Sequence, residues 1–188
     1  MQPRKFLIFD RDGTLIVEKN YLSSPDQVEL IPGVGMALNQ FRDMGLGLIV
    51  ITNQSGIGRG FFTVETLAEI NQRMLEKLSE ENAFIDAIYY CPHLPEEGCS
   101  CRKPKTGLIL RAANDLKFQP SECIVIGDKK CDIEMGKNIQ AKTILVKTGY
   151  GAAYSNEDNV LPDYVVEDLV EAIPIIRHLL QVDKSKKP

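Results

Sequence analysis

Phe6-Leu7-Ile8-Phe9-Asp10-Arg11-Asp12-Gly13-Thr14 decides the fold: an apolar run with strand character that breaks into two aspartates, a glycine and a threonine. Residues two apart on an extended chain project to one side, so Asp10 and Asp12 are expected to share a site while Arg11 points away. Gly13 permits a sharp turn, and the Thr14 hydroxyl is expected to hold that turn by bonding back to the chain. A carboxylate presented in this way can attack phosphorus, and a second one can protonate the leaving oxygen and later deprotonate water. Asp10 therefore reads as a nucleophile and Asp12 as a general acid and base. The plainer alternative is an Asp-Gly turn that merely closes a strand.

Two further apolar runs end in complementary chemistry. Cys123-Ile124-Val125-Ile126-Gly127-Asp128 is a second strand with an acidic tip, followed by Lys129-Lys130-Cys131-Asp132. Mg²⁺ takes octahedral oxygen coordination and usually one or two carboxylates, a role that suits Asp10, Asp128 and the backbone carbonyl of Asp12. The cation would also offset the repulsion between a phosphate dianion and clustered carboxylates. Leu48-Ile49-Val50-Ile51 ends in Thr52-Asn53-Gln54-Ser55-Gly56, which offers hydroxyl, amide and backbone donors to phosphate oxygens, or else is an ordinary polar loop after a buried strand.

Cys91 and His93 stand two apart, as do Cys99 and Cys101, so two extended segments can each turn a pair of ligands inward. A Cys₃His set matches closed tetrahedral Zn²⁺ coordination and reads as a structural site. A disulfide in an exported protein, or unconnected thiols, are the alternatives; an odd count of five cysteines makes the disulfide the poorer one. Arg102 and Lys103 follow the last of these ligands, so a fixed loop would also fix two cations, which otherwise read as solvated surface charges.

The 188 residues, 44% of them hydrophobic, suffice for one domain with a substantial core. A net charge of −4 argues against nucleic acid as a partner. No apolar run approaches the length of a membrane span, and the first residues lead straight into a strand, so a cytoplasmic protein with no membrane partner is expected. Short apolar strands near 6–10, 47–52, 87–90, 122–127, 143–147 and 163–166 alternate with helical patterns, which predicts an α/β fold with a mainly parallel sheet. Val64 to Leu78 reads as an amphipathic helix burying Leu67, Ile70, Met74, Leu75 and Leu78. Asp168 is a candidate N-cap for the last helix, in which Pro174 implies a kink or a late start. Ligands of open α/β sheets bind beyond the carboxyl ends of the strands, where Asp10, Thr52 and Asp128 all fall. One domain is expected over 1–182, with the zinc loop at 91–103 and a disordered basic tail at 183–188.

Asp10-Arg11-Asp12-Gly13-Thr14, Ile51-Thr52-Asn53-Gln54 and Gly127-Asp128-Lys129 resemble motifs of the haloacid-dehalogenase-like phosphatases. Cys91-Pro92-His93 and Cys99-x-Cys101-Arg102-Lys103-Pro104 resemble the capless branch that contains the heptose-bisphosphate phosphatases and the histidinol-phosphatases. The resemblance spans nearly the whole chain. It implies a Rossmann-like haloacid-dehalogenase fold with no cap domain and a zinc-binding loop. It also implies catalysis by Asp10, Asp12, Thr52 and Lys103, with Lys103 stabilising the transferring phosphoryl group. Glu18, Lys19, Asn20, Tyr21, Ser55, Arg102 and Lys129 would contact the sugar phosphate together with Thr52, Asn53, Gln54 and Lys103. Mg²⁺ would be bound by Asp10, Asp12 and Asp128, and Zn²⁺ by Cys91, His93, Cys99 and Cys101. Thr52 to Gly60 and Tyr89 to His93 are closer to the heptose enzymes, which implies a monomeric enzyme removing the 7-phosphate of a heptose 1,7-bisphosphate for activated-heptose synthesis. The short stretch Leu94 to Gly98 is closer to the histidinol-phosphatases and leaves histidinol phosphate as the alternative substrate. A silent zinc module that only binds a phosphorylated ligand is the alternative from another class.

Overall fold

The computed structural model describes residues 4–155, 159 and 161–185. Its strands are β1 Phe6–Phe9, β2 Gly47–Asn53, β3 Ala87–Cys91, β4 Ile124–Gly127, β5 Lys142–Val146 and β6 Tyr164–Val166. They form one six-stranded sheet in the order β3-β2-β1-β4-β5-β6, and every neighbouring pair is parallel. The expected mainly parallel sheet is thus parallel throughout. This is the doubly wound order, in which the connections leave β1 toward opposite edges and open a crevice beyond the tips of β1 and β4. Phe9 pairs with Val50 on one side and with Ile126 on the other, so the three functional tips end level with one another.

The helices are α1 Val34–Asp43, α2 Ser55–Gly58, α3 Val64–Glu80, α4 Gly107–Leu116, α5 Lys130–Asn138, α6 Gly151–Tyr154 and α7 Leu169–Ser185. Strand residues alternate between two cores because both faces of a parallel sheet are covered. Leu7, Phe9, Leu48 and Val50 pack with α1, α3 and α7, whereas Ile8, Ile49, Ile51 and Val125 pack with α4. In α3 the side chain of Thr63 caps the helix by accepting from the Thr66 N–H at 3.2 Å; Leu67, Ile70, Met74 and Leu78 are buried and Leu75 is half-buried. Asp168 accepts from the Glu171 N–H at 3.0 Å, so α7 starts on its cap and runs through Pro174 instead of beginning after it. The helical backbone continues to Ser185 and takes in the first residues of the expected tail; residues 186–188 lie outside the described residues. Among the described residues no helix is long and apolar enough to cross a membrane.

Candidate active site

Asp10 sits one residue beyond β1, and its N–H donates to the Ile126 carbonyl at 3.0 Å, which ties the tip of the central strand to β4. Gly13 follows with φ +84°, in the left-handed region where glycine carries no steric penalty. A Cβ there would also collide with the Asp128 carboxylate, so the glycine brings β4's acidic tip against the turn. The Thr14 hydroxyl does not hold this turn, contrary to expectation. Its side chain packs inward, Oγ1 is buried without a hydrogen-bond partner, and the turn closes through the Arg11 carbonyl, which accepts from Leu15 at 2.9 Å and Ile16 at 3.1 Å.

Arg11 also departs from expectation. Because β1 ends at Phe9, the alternation of an extended chain does not carry through residues 10 to 12, and Arg11 folds back on Asp12. Its Nε and Nη2 donate to the two Asp12 carboxylate oxygens at 3.1 Å each, and its Nη1 donates to Asn71 on α3 at 2.9 Å. Gln54 adds a donor to Asp12 Oδ2 at 2.8 Å and another to Thr52 Oγ1 at 2.8 Å. The Asp12 carboxylate is thereby fixed from two sides.

Lys103 reaches the same tip from the loop that follows Cys101. Its ammonium lies 2.9 Å from Asp10 Oδ1, 2.6 Å from Asp132 Oδ1 and 2.7 Å from the Ile51 carbonyl, with 1% of the side chain exposed. Burial disfavours a charge on Lys103, but Asp10 and Asp132 outweigh it and hold the ammonium protonated above its ordinary range. Burial likewise opposes ionisation of Asp10; Lys103 and Lys129 overcome it and hold this carboxyl below the usual range. Asp128 goes the other way, pushed up to about 8 by burial and then by Asp10. Asp132 is pushed up to about 6 by burial, against the pull of Lys103.

Asp10, Asp128 and Asp132 bring carboxylate oxygens within 4.8 Å of one another, all buried. Asp128 Oδ1 has no hydrogen-bond donor, while Asp128 Oδ2 accepts from the Tyr150 N–H at 2.9 Å. A buried carboxylate oxygen without a donor beside a second carboxylate fits a hard divalent cation. Asp132 was not among the expected ligands. It is carried there by the first turn of α5, and its four-residue spacing from Asp128 was the available signal. Its Oδ2 accepts from the Lys129 N–H at 3.0 Å, so Asp132 buttresses both Lys103 and the start of α5.

Cys91, His93, Cys99 and Cys101 also converge. Cys101 Sγ lies 3.2 Å from Cys91 Sγ and 3.4 Å from Cys99 Sγ, and His93 Nδ1 lies 3.2 Å from Cys101 Sγ. These spacings suit four corners of a small tetrahedron of soft and imidazole donors. Burial and the neighbouring thiols push the Cys91 thiol up to about 12. Burial also opposes ionisation of Cys99, but hydrogen bonds from Cys101 and the backbone bring it down to about 7. Next along the chain, Arg102 donates to the His93 carbonyl at 3.3 Å.

A cavity of about 250 Å³ opens above the tips. Of the expected substrate contacts, Glu18, Asn20, Tyr21, Thr52, Asn53, Gln54, Ser55, Arg102, Lys103 and Lys129 line it. Lys19 does not; it turns to the surface and pairs with Glu29 at 3.1 Å. Lys129 is held by Glu18 at 2.8 Å and lies 5.1 Å from the Tyr150 ring centroid. Tyr150 and Cys131 line the cavity without having been anticipated. Tyr21, with φ 69°, receives Phe61 edge-on and the Arg59 guanidinium over its face at the rim.

A family model described as HAD-hydrolase-like matches residues 100–172. D-glycero-beta-D-manno-heptose-1,7-bisphosphate 7-phosphatase of Haemophilus influenzae is 37% identical over 182 residues, covering 93% of this chain and 98% of that protein. The protein of the same name from Helicobacter pylori strain 26695 is 40% identical over 147 residues, 78% of this chain and 85% of that one. Among solved structures, D,D-heptose 1,7-bisphosphate phosphatase from B. bronchiseptica, complexed with magnesium and phosphate, is similar with a TM-score of 0.84 at 31% identity. The match covers 94% of this chain and 98% of that one.

Proposed function

We propose that this chain, which belongs to the haloacid-dehalogenase-like family of D-glycero-D-manno-heptose-1,7-bisphosphate 7-phosphatases, hydrolyses the 7-phosphate of a heptose 1,7-bisphosphate. The observation that carries this reading is the buried Asp10 carboxylate, paired with Lys103 at 2.9 Å at the tip of the central strand and flanked by Asp128.

In the first step an Asp10 oxygen attacks phosphorus and the bond from phosphorus to the sugar oxygen breaks. Asp12, held by Arg11 and Gln54, gives that oxygen its proton, and an aspartyl-phosphate remains on Asp10. In the second step Asp12 takes a proton from water, the water oxygen attacks phosphorus, and Asp10 is released with inorganic phosphate. Lys103 and the Thr52 hydroxyl face the phosphoryl oxygens and stabilise the charge that develops on them. Mg²⁺, which Asp10, Asp128 and the Asp12 carbonyl would hold, supplies charge neutralisation for the phosphate. Zn²⁺ in the Cys91, His93, Cys99 and Cys101 set would fix the loop that carries Arg102 and Lys103. Glu18, Asn20, Tyr21, Ser55, Arg102 and Lys129 line the space left for the sugar and its second phosphate. The names of the matched relatives favour the heptose bisphosphate over histidinol phosphate. We place the reaction in the cytoplasm, in the supply of activated heptose.

Mg²⁺-dependent phosphate release from both anomers of heptose 1,7-bisphosphate and from histidinol phosphate, compared by kcat/KM, tests this reading. A large preference for one heptose anomer is expected. A preference for histidinol phosphate would keep the mechanism and replace the substrate.

A further inference from the structure

We infer that Asn53 is a positioning residue that acts through Lys103; this rests on the role given to Lys103 above. The Asn53 carboxamide is clasped to the Lys103 peptide by two hydrogen bonds. Its Oδ1 accepts from the Lys103 N–H at 3.0 Å, and its Nδ2 donates to the Lys103 carbonyl at 3.2 Å. An asparagine side chain offers one carbonyl and two N–H donors, so its acceptor and one donor face the protein.

The location explains why a side chain does this. β2 ends at Asn53, whose main chain is in register with Cys91 of β3. The segment Arg102-Lys103-Pro104 belongs to no helix or strand, and Pro104 has no N–H to give. No ladder therefore fixes the Lys103 backbone, and Asn53 supplies both bonds of a ladder rung from its carboxamide. The Cys₃His cluster anchors the chain two residues earlier, at Cys101, and Asn53 anchors the lysine itself.

The lysine has little room for error. Its ammonium touches Asp10, Asp132 and the Ile51 carbonyl inside a buried site. A backbone free to drift by a fraction of an ångström would detune all three contacts, and a misplacement of about 1 Å can lower a rate by about 10²-fold. Gln54, next in sequence, is spent in the same way on Asp12 and Thr52. The polar run at the end of β2 thus holds catalytic side chains in place from within.

The test is a double-mutant cycle of Asn53→Ala with Lys103→Met, and with Lys103→Arg should the first fold poorly, read as kcat and KM on a heptose 1,7-bisphosphate and on p-nitrophenyl phosphate. Asn53→Ala is expected to lower kcat/KM by about 10- to 100-fold, the effect of two lost hydrogen bonds, and by the same factor on both substrates. In the Lys103 background the further loss is expected to shrink to less than about threefold, because the residue through which Asn53 acts is already altered. Losses that multiply in the double variant, or a loss confined to the sugar substrate, would overturn the positioning role and make Asn53 a direct ligand. A Lys103→Met enzyme with unchanged turnover would instead overturn the role of Lys103 itself.

Discussion

Arg11 and Asp12, neighbours in the chain, form a two-pronged ion pair: Nε and Nη2 of the arginine each lie 3.1 Å from a different oxygen of the aspartate. The arginine is 1% exposed and its remaining nitrogen is anchored on Asn71 of α3, so the orientation of Asp12 is inherited from the helix packed against the sheet.

Arg11→Met leaves the Asp12 charge without its partner. A loss of about 3 kcal/mol is expected, seen as a drop in melting temperature of about 6–12 °C together with weakened turnover. Arg11→Lys keeps the charge but not the planar fork, so it should recover part of the stability and less of the activity. Thermal unfolding and steady-state kinetics on the two variants check this; an unchanged melting temperature for Arg11→Met would show that the pair carries no stability.

Asp10→Asn removes the attacking oxygen's charge while keeping its shape. Turnover should fall by at least about 10³-fold with the circular dichroism spectrum preserved, because Asp132 still holds Lys103. Asp12→Asn should still bind Mg²⁺, since the expected contact there is a backbone carbonyl, yet fail to release the sugar. Calorimetric titration with Mg²⁺ separates the two defects, and near-normal activity in either variant contradicts the assignment.

Metal analysis should give one zinc per chain, lost in a Cys99→Ser/Cys101→Ser variant. Turnover should drop with it because Arg102 and Lys103 follow the cluster directly, while the rest of the sheet stays folded. A zinc-free, folded preparation with full turnover would separate the loop from the chemistry.

Asp163 gives a pH signature remote from the site. Burial opposes its charge, but Lys142 at 2.8 Å, Thr143 and Lys137 at 3.1 Å hold the carboxyl well below the usual range. A depressed folded value means the stabilisation is fully present above the unfolded value of about 3.9 and is lost as the pH falls below it toward the folded value. Asp163→Asn should therefore cost about 1–2 kcal/mol at pH 7 and progressively less below pH of about 4. Urea unfolding across that range measures it, and a penalty that grows toward acid would refute the linkage.

The sheet was legible because each buried parallel strand is a short apolar run between turn residues, and all six runs match strands within two residues at either end. The polar tips were legible for the same reason, since Asp10, Thr52 and Asp128 directly follow apolar runs. Destinations were harder to read. Asn53 and Gln54 were expected as donors to phosphate oxygens; their amides bond Lys103 and Asp12, brought close only by the crossover connections. Arg11 defeated the alternation rule because the strand stops a residue too early. Asp132 was visible four residues after Asp128, but only the helix that starts at Lys130 turns it inward. Lys19 was expected at the site with its neighbours from the resemblance, and its pairing with Glu29 takes it to the outside.

The central position of β1, between β2 and β4, makes the surroundings of Asp10 depend on residues far along the chain. Asp10 precedes the lysine beside it by more than ninety residues, and the carboxylates near it stand later still, at positions 128 and 132. Without β4 and α5 beside β1, Asp10 has neither Asp128 nor Asp132 near it, so the charge cluster at the sheet's tip is complete only when the chain is folded through α5.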